Sequence, residues 1–102
     1  MADTPEAKMK KKVDKVLKEF GIWFFAPQSG IYGRSGIPDR IGILPGGRMI
    51  AVEVKADPTK KPTHLQKKTI GEMMDAGAVV WLVDSDLKVE ALRTALKLGV
   101  FD

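Results

Sequence analysis

Asp39, Glu53 and Lys55 are the residues whose types and spacing could act on a phosphate. The segments that carry them flank Pro45-Gly46-Gly47, the composition of a three-residue hairpin loop. In that register Leu44 faces Arg48, and the same pairing sets Asp39 opposite Glu53. Directly opposed residues of an antiparallel pair have Cβ atoms roughly 4.5–5.5 Å apart, where two carboxylates repel. A divalent cation between them relieves that cost, and Mg²⁺ is commonly held by one or two carboxylates with water and phosphate oxygens. Lys55 lies two residues beyond Glu53, so strand alternation puts both on one face. The bland alternative is a turn aspartate after Pro38 and an edge-strand charge pair. Three features favour the metal site. Glu53 interrupts the apolar run Met49-Ile50-Ala51-Val52-Glu53-Val54, where a charge is costly unless paired or functional. The register aligns the acids without adjustment, and Gly36-Ile37-Pro38-Asp39 ends a glycine-rich loop at the mouth of the site.

Pro38-Asp39, followed after thirteen residues by Glu53-Val54-Lys55, resembles the PD-(D/E)xK nuclease signature. With Glu6 on an opening helix and Gln66 after the hairpin, the ordered set is similar to the VRR-NUC branch, of the stand-alone phage or bacterial type. The resemblance runs from about Glu6 to about Leu96. It implies an α/β fold, a restriction-endonuclease-like αβββαβ core with a mixed central sheet flanked by helices, here with a C-terminal helix added. It implies one nuclease domain over residues 1–102, acting as a metal-dependent DNA endonuclease with Mg²⁺ or Mn²⁺. In that scheme Asp39 and Glu53 are metal ligands with the Val54 carbonyl as a third. Lys55 stands beside the attacked phosphate, and Gln66 holds it or the attacking water. Glu6 leans toward the metal, though an acid in a first helical turn is equally explained by the helix dipole. Gln66 has a second reading too, as a boundary residue bonded to a loop carbonyl. Stand-alone members are similar in role to Holliday-junction resolvases, which implies branched DNA as substrate and a two-fold homodimer. Flaps, nicks and plain duplex stay open as substrates. Rival readings are a non-catalytic nucleic-acid-binding module on the same fold and a protein-interaction domain.

Composition sets the limits around these residues. The 102 residues include no cysteine, which rules out a disulfide scaffold or cysteine-based zinc site and fits a reducing compartment. The single histidine, His64, starts a helix and reads as a surface residue rather than a ligand or general base, so with no cysteine present no Ser/His/Asp or Cys/His set is expected for covalent catalysis. The first twenty residues hold six lysines and no uninterrupted apolar stretch, unlike a secretory signal. No segment reaches the ~18 apolar residues of a membrane span. The expected location is the cytoplasm, that of the bacterial host if phage-encoded. A net charge of +4 favours an anionic partner without naming it.

The elements that must position the site follow from local signals. Thr4-Pro5 opens a helix with Met9, Val13, Val16, Leu17 and Phe20 inward, ended by Gly21. Lys8, Lys11, Lys12, Lys15 and Lys18 form its other side, either a solvated face or a phosphate-tracking stripe. Ile22-Trp23-Phe24-Phe25-Ala26 reads as a buried strand with its aromatics in the core. Pro27 to Gly36 is a loop in which Ser29, Tyr32, Arg34 and Ser35 are candidate nucleic-acid contacts; it matches no nucleotide-binding pattern, so no nucleotide cofactor is expected. Lys60 and Lys61, in the loop after the hairpin, are further candidate contacts. Thr63 caps a helix from His64 to Ala76 whose core side is Leu65, Ile70, Met73 and Met74. Ala78 to Val83 is a strand buried on both faces, and Asp84 or Asp86 caps a last helix with Val89, Leu92 and Leu96 inward.

Overall fold

A computed structural model describes residues 3–28 and 34–101. Its elements are α1 (Pro5–Glu19), β1 (Trp23–Phe25), β2 (Arg40–Ile43), β3 (Met49–Val54), α2 (His64–Asp75), β4 (Val79–Val83) and α3 (Asp86–Leu98). They form one mixed sheet in the order β1-β2-β3-β4, with the first two pairings antiparallel and β3-β4 parallel. Antiparallel neighbours need only a short turn, whereas a parallel pair needs a crossover, and α2 supplies it. This is the predicted αβββαβ order with a terminal helix.

The hairpin register is the one read from the sequence: Arg40 faces Val52, Ile41 faces Ala51, and Ile43 faces Met49. Leu44 N–H donates to the Arg48 carbonyl at 2.8 Å and Gly47 N–H returns to Leu44 at 2.9 Å. Gly46 and Gly47 both have φ near +97°, a backbone that a side chain would strain. Continuing the ladder by one step brings Asp39 opposite Glu53.

Strand alternation divides the sheet into two unlike faces. Ile50, Val52 and Val54 of β3 pack with Val79 and Val83 of β4 against Val13, Val16 and Leu17 of α1 and Val89 and Leu92 of α3. Burying each such side chain stabilises the fold by about 1.5–3 kcal/mol, so this face fixes the sheet against α1 and α3. The opposite face carries Ala51, Glu53 and Lys55, and α2 covers it only over its β4 side.

That partial cover corrects several expectations. Trp23 is 64% exposed and Phe25 47%, because β1 is an edge strand beyond the reach of α2; only Ile22 and Phe24 turn to the core. α2 is rotated from its predicted phase: Leu65 and Met74 are exposed, and Thr69 is the residue it buries. β4 is covered on both faces but is also an edge, so Val80, Trp81 and Leu82 stay half-buried. The cap of α3 is Ser85, whose hydroxyl accepts from Lys88 N–H, and not either neighbouring aspartate.

Candidate active site

The open face ends, on the side of the sheet where β2 begins, in a group of charged residues. β3 delivers Glu53 and Lys55, the bend before β2 delivers Asp39, and the first turn of α2 delivers Gln66. Glu53 is 1% exposed, and neither of its carboxylate oxygens has a hydrogen-bond partner among the described residues. The Lys55 ammonium stands 3.2 Å from Glu53 Oε2. Burial, followed by the adjacent Asp39 carboxylate, pushes Glu53 up to about 7, against the opposing pull of Lys55. Two ionised carboxylates cannot bond one another, and a proton on Glu53 is what creates a donor toward Asp39.

Asp39 is held by its backbone surroundings. Its Oδ2 accepts the Val54 N–H at 2.7 Å, replacing a ladder bond just past the end of β2. In an extended strand a residue's N–H and C=O point the same way, so the Val54 carbonyl also faces the Asp39 side. Arg40 then pins the bend to α1. Its Nε and one terminal nitrogen donate to the Asp14 carboxylate at 2.6 and 3.0 Å, and the other donates to the Asp39 carbonyl at 2.8 Å. The bond to Asp14 raises the Arg40 pKa above its ordinary value, an anchor that keeps its charge.

Gln66 stands beside Lys55, and in place of a bond to a loop carbonyl its side chain caps its own helix. Thr63 Oγ1 accepts Gln66 N–H at 3.1 Å while Gln66 Oε1 accepts Thr63 N–H at 2.8 Å, a reciprocal cap on α2. The same Oε1 accepts from Lys55 Nζ at 3.0 Å. The helix cap is thereby a brace for the ammonium. Gly36 makes this docking possible: at φ +77° a Cβ there would lie 2.7 Å from Thr69 Oγ1 and 2.9 Å from the Leu65 carbonyl. The chain before Asp39 therefore runs flush against α2.

A cleft of about 500 Å³ opens beside Asp39, lined by Lys10, Gln28, Ser35, Gly36 and Gln66 among others. Arg34 reaches this rim but is paired with Glu72 at 3.1 Å. Lys60 and Lys61 are exposed on the loop after β3. Ser29 and Tyr32 lie outside the described residues. Glu6 does not contact the acid pair directly; Lys10 stands between them, 3.5 Å from Glu6 Oε2 and 3.5 Å from Asp39 Oδ1.

Asp39, Glu53, Lys55, Val54 and Gln66 are thus brought together as expected, with Glu6 one residue removed. Lys10, Asp14 and Arg40 were not anticipated. The signal for two of them was present: Glu6, Lys10 and Asp14 recur at i, i+4 and i+8, one face of a helix in alternating charge. Thr63-His64-Leu65-Gln66 likewise has the spacing of a reciprocal cap.

No group of three His, Cys, Asp or Glu residues among those described is placed to hold a metal ion. Two carboxylates and a backbone carbonyl would together suit a hard cation that retains water, such as Mg²⁺. The oxygens of a buried glutamate that lack a hydrogen bond among the described residues, beside a second acid, are what such an ion would satisfy. No helix of the described residues is long and apolar enough to cross a membrane.

No protein-family model matches the chain. A stretch of 53 residues, 52% of the chain, is 43% identical to the "Putative nuclease p44" of Acyrthosiphon pisum secondary endosymbiont phage 1. That stretch spans 56% of the phage protein. Among solved structures, one described as a VRR_NUC domain superposes with a TM-score of 0.77 and 32% identity, over 88% of this chain and 95% of the other. With that fold, that identity and near-complete mutual coverage, the chain belongs to the VRR-NUC family.

Proposed function

We propose that this chain is an Mg²⁺- or Mn²⁺-dependent endonuclease that hydrolyses DNA phosphodiester bonds, with residues 1–102 as one nuclease domain working in the cytoplasm. The observation that carries the reading is Glu53, a buried carboxylate whose oxygens have no hydrogen-bond partner among the described residues and meet the Lys55 ammonium at 3.2 Å, beside Asp39, with that ammonium braced by Gln66. A purely structural glutamate at 1% exposure would be paired through hydrogen bonds or replaced by an apolar residue.

When bound by Asp39, Glu53 and the Val54 carbonyl, the divalent ion supplies Lewis acidity toward a phosphate oxygen and makes nearby water more acidic. The protein's own residues do the rest. Asp39 and Glu53 concentrate negative charge at a point the fold fixes through Val54 and Arg40. Lys55, its direction set by Gln66, offers a cation to the charge that builds on the phosphate during attack. Its remaining hydrogens can orient the attacking water. The cleft, with Lys10 and Arg34 on its border, gives the sugar-phosphate backbone a path to the acid pair.

Within this reading the substrate is branched DNA, cut symmetrically by a two-fold homodimer, since one chain carries one site. The face available for a second copy is the open side of β1 and β2. Trp23, Phe25, Ile43 and Met49 are 43–64% exposed there. Together they leave on the order of 400 Å² of apolar surface uncovered, which a two-fold pair would bury from both sides.

The test is cleavage of labelled four-way junction, flap and plain duplex DNA with Mg²⁺ or Mn²⁺, beside Lys55→Ala. Symmetric incision of the junction, lost in the variant and in EDTA, is the expected result. Incision of another substrate keeps the chemistry and removes the junction assignment. Binding that persists in EDTA with no product overturns the proposal in favour of a binding module.

A further inference from the structure

The acid pair is flanked by two ammonium groups, and they are held very differently. Lys55 has a side chain only 14% exposed, fixed by Gln66 at 3.0 Å and Glu53 at 3.2 Å. Lys10 is 31% exposed, lines the cleft, and among the described residues is held by 3.5 Å approaches to Glu6 and Asp39. Those distances exceed those of a strong charge-assisted hydrogen bond, about 2.7–2.9 Å. Lys10 also sits on the one Asp39 oxygen that the backbone leaves over, since Oδ2 is committed to Val54 N–H and Oδ1 is not.

We propose that Lys10 is a displaceable counter-ion of Asp39 which, when a divalent cation takes Oδ1, turns into the cleft and binds a backbone phosphate of the nucleic acid. This rests on the reading of Asp39 and Glu53 as metal ligands. In the metal-free state Glu6, Asp39 and Glu53 face Lys10 and Lys55, and Lys10 offsets the acid that Lys55 does not reach. A divalent ion at the acid pair repels both ammonium groups. Lys55 is buried and braced and must stay; Lys10 is exposed on a flexible four-carbon stem and can leave. Its way out is the cleft it already lines, where a phosphate restores the charge balance it has lost. Glu6, four residues before Lys10 on the same helix face, is then the tether that keeps the ammonium within reach. This accounts for a glutamate at that position without direct contact to the acid pair.

The experiment uses the full chain and two variants, Lys10→Met, which keeps the stem, and Lys10→Arg, which keeps the charge. Unfolding curves establish first that each is folded. Mn²⁺ alone is titrated calorimetrically at low ionic strength without DNA, since Lys10 competes with it for Oδ1. Lys10→Met should bind Mn²⁺ about two- to fivefold more tightly than the parent, the effect of removing one partly exposed ion-pair competitor. Affinity for a labelled DNA duplex is then measured against salt with Mn²⁺ present, in a Lys55→Ala background that leaves the strand intact. The slope of log affinity on log salt should be about 0.9 less steep in Lys10→Met, the contribution of one phosphate contact. Lys10→Arg should restore it. A merely structural lysine would change neither reading. Unchanged or weaker Mn²⁺ binding in Lys10→Met, or an unchanged slope, overturns the proposal while leaving the acid pair intact. If instead the parent binds Mn²⁺ no better than Asp39→Asn does, the ligand assignment itself fails and the proposal with it.

Discussion

Replacing Glu53 by glutamine should make the metal-free protein more stable at pH 8, although it removes half of an ion pair. The Glu53 carboxyl, 1% exposed and beside Asp39, has its pKa raised from 4.5 to about 7. A raised carboxyl pKa means the folded state holds a proton that the unfolded state has released. Stability is therefore fully present below about pH 4.5, is lost as pH rises toward 7, and stays lost above it. At about 1.4 kcal/mol per pH unit, the loss is about 3 kcal/mol or slightly more. The opposing pull of Lys55 is already contained in that shift, so the ion pair does not have to be subtracted again. Glutamine has the shape of the carboxyl without its charge, and should recover most of the ~3 kcal/mol. For a domain of this size that corresponds to a rise in Tm on the order of 10 °C. The assay is urea unfolding of parent and variant in EDTA at half-unit steps from pH 4.5 to 8, with the difference between the two curves as the readout. The difference cancels His64 and every other group common to both. It should grow from near zero at pH 4.5 to about 3 kcal/mol at pH 8 in favour of the variant. A difference that is flat with pH, or that favours the parent as pH rises, would mean Glu53 is stabilised as an anion by Lys55. The strained acid pair would then not exist.

Further expectations follow from the same geometry. Millimolar Mn²⁺ at pH 8 should raise the Tm of the parent and leave Asp39→Asn unmoved, because a ligand of the folded state stabilises only where its donors remain; equal responses would remove Asp39 as a donor. Gln66→Ala should cost about 1 kcal/mol through loss of the reciprocal cap, and should lower cleavage well beyond what unfolding explains, because Lys55 loses its 3.0 Å brace. Denaturant curves and initial rates measured on the same samples separate the two effects. Gly36→Ala should destabilise by about 1–3 kcal/mol, given φ +77° and the 2.7 Å approach of its Cβ to Thr69 Oγ1; a shift in urea midpoint checks it. Arg40→Met should cost about 1–3 kcal/mol by stranding Asp14, with the loss reduced in the Asp14→Leu, Arg40→Met double variant.

What the sequence makes legible here is what depends on strand arithmetic. A three-residue glycine loop fixes the hairpin register, and the register fixes which side chains face one another; Asp39 against Glu53 and Lys55 beside them need no further information. The helix starts at Thr4 and Thr63 were equally local, since each is set by a hydroxyl and the N–H groups within three residues of it. The errors lie where tertiary cover decides. Trp23 and Phe25 look like core because they are aromatic, but their burial depends on whether α2 extends over β1, and that is set by the crossover to β4. Leu65 and Met74 fail for the same reason, because a helix that docks around a glycine and a threonine turns a polar residue inward.

Lys10 shows a different limit. A lysine among six in the first twenty residues has no distinguishing sign in composition, and the basic side of α1 is mostly exposed and partly matched by acids such as Asp3 and Asp86. Only the period-four alternation with Glu6 and Asp14 separates it, and that alternation acquires meaning once Arg40 ties Asp14 to the base of β2. Because the tie fixes α1 against the bend that carries Asp39, the residue one turn earlier on α1 is placed at Asp39 itself, and the residue one turn earlier again is held off by it. Asp14, Lys10 and Glu6 thus act in sequence as anchor, counter-ion and tether along a single helix face. The acid pair is positioned by the sheet, while its charge in the resting state is set by the helix.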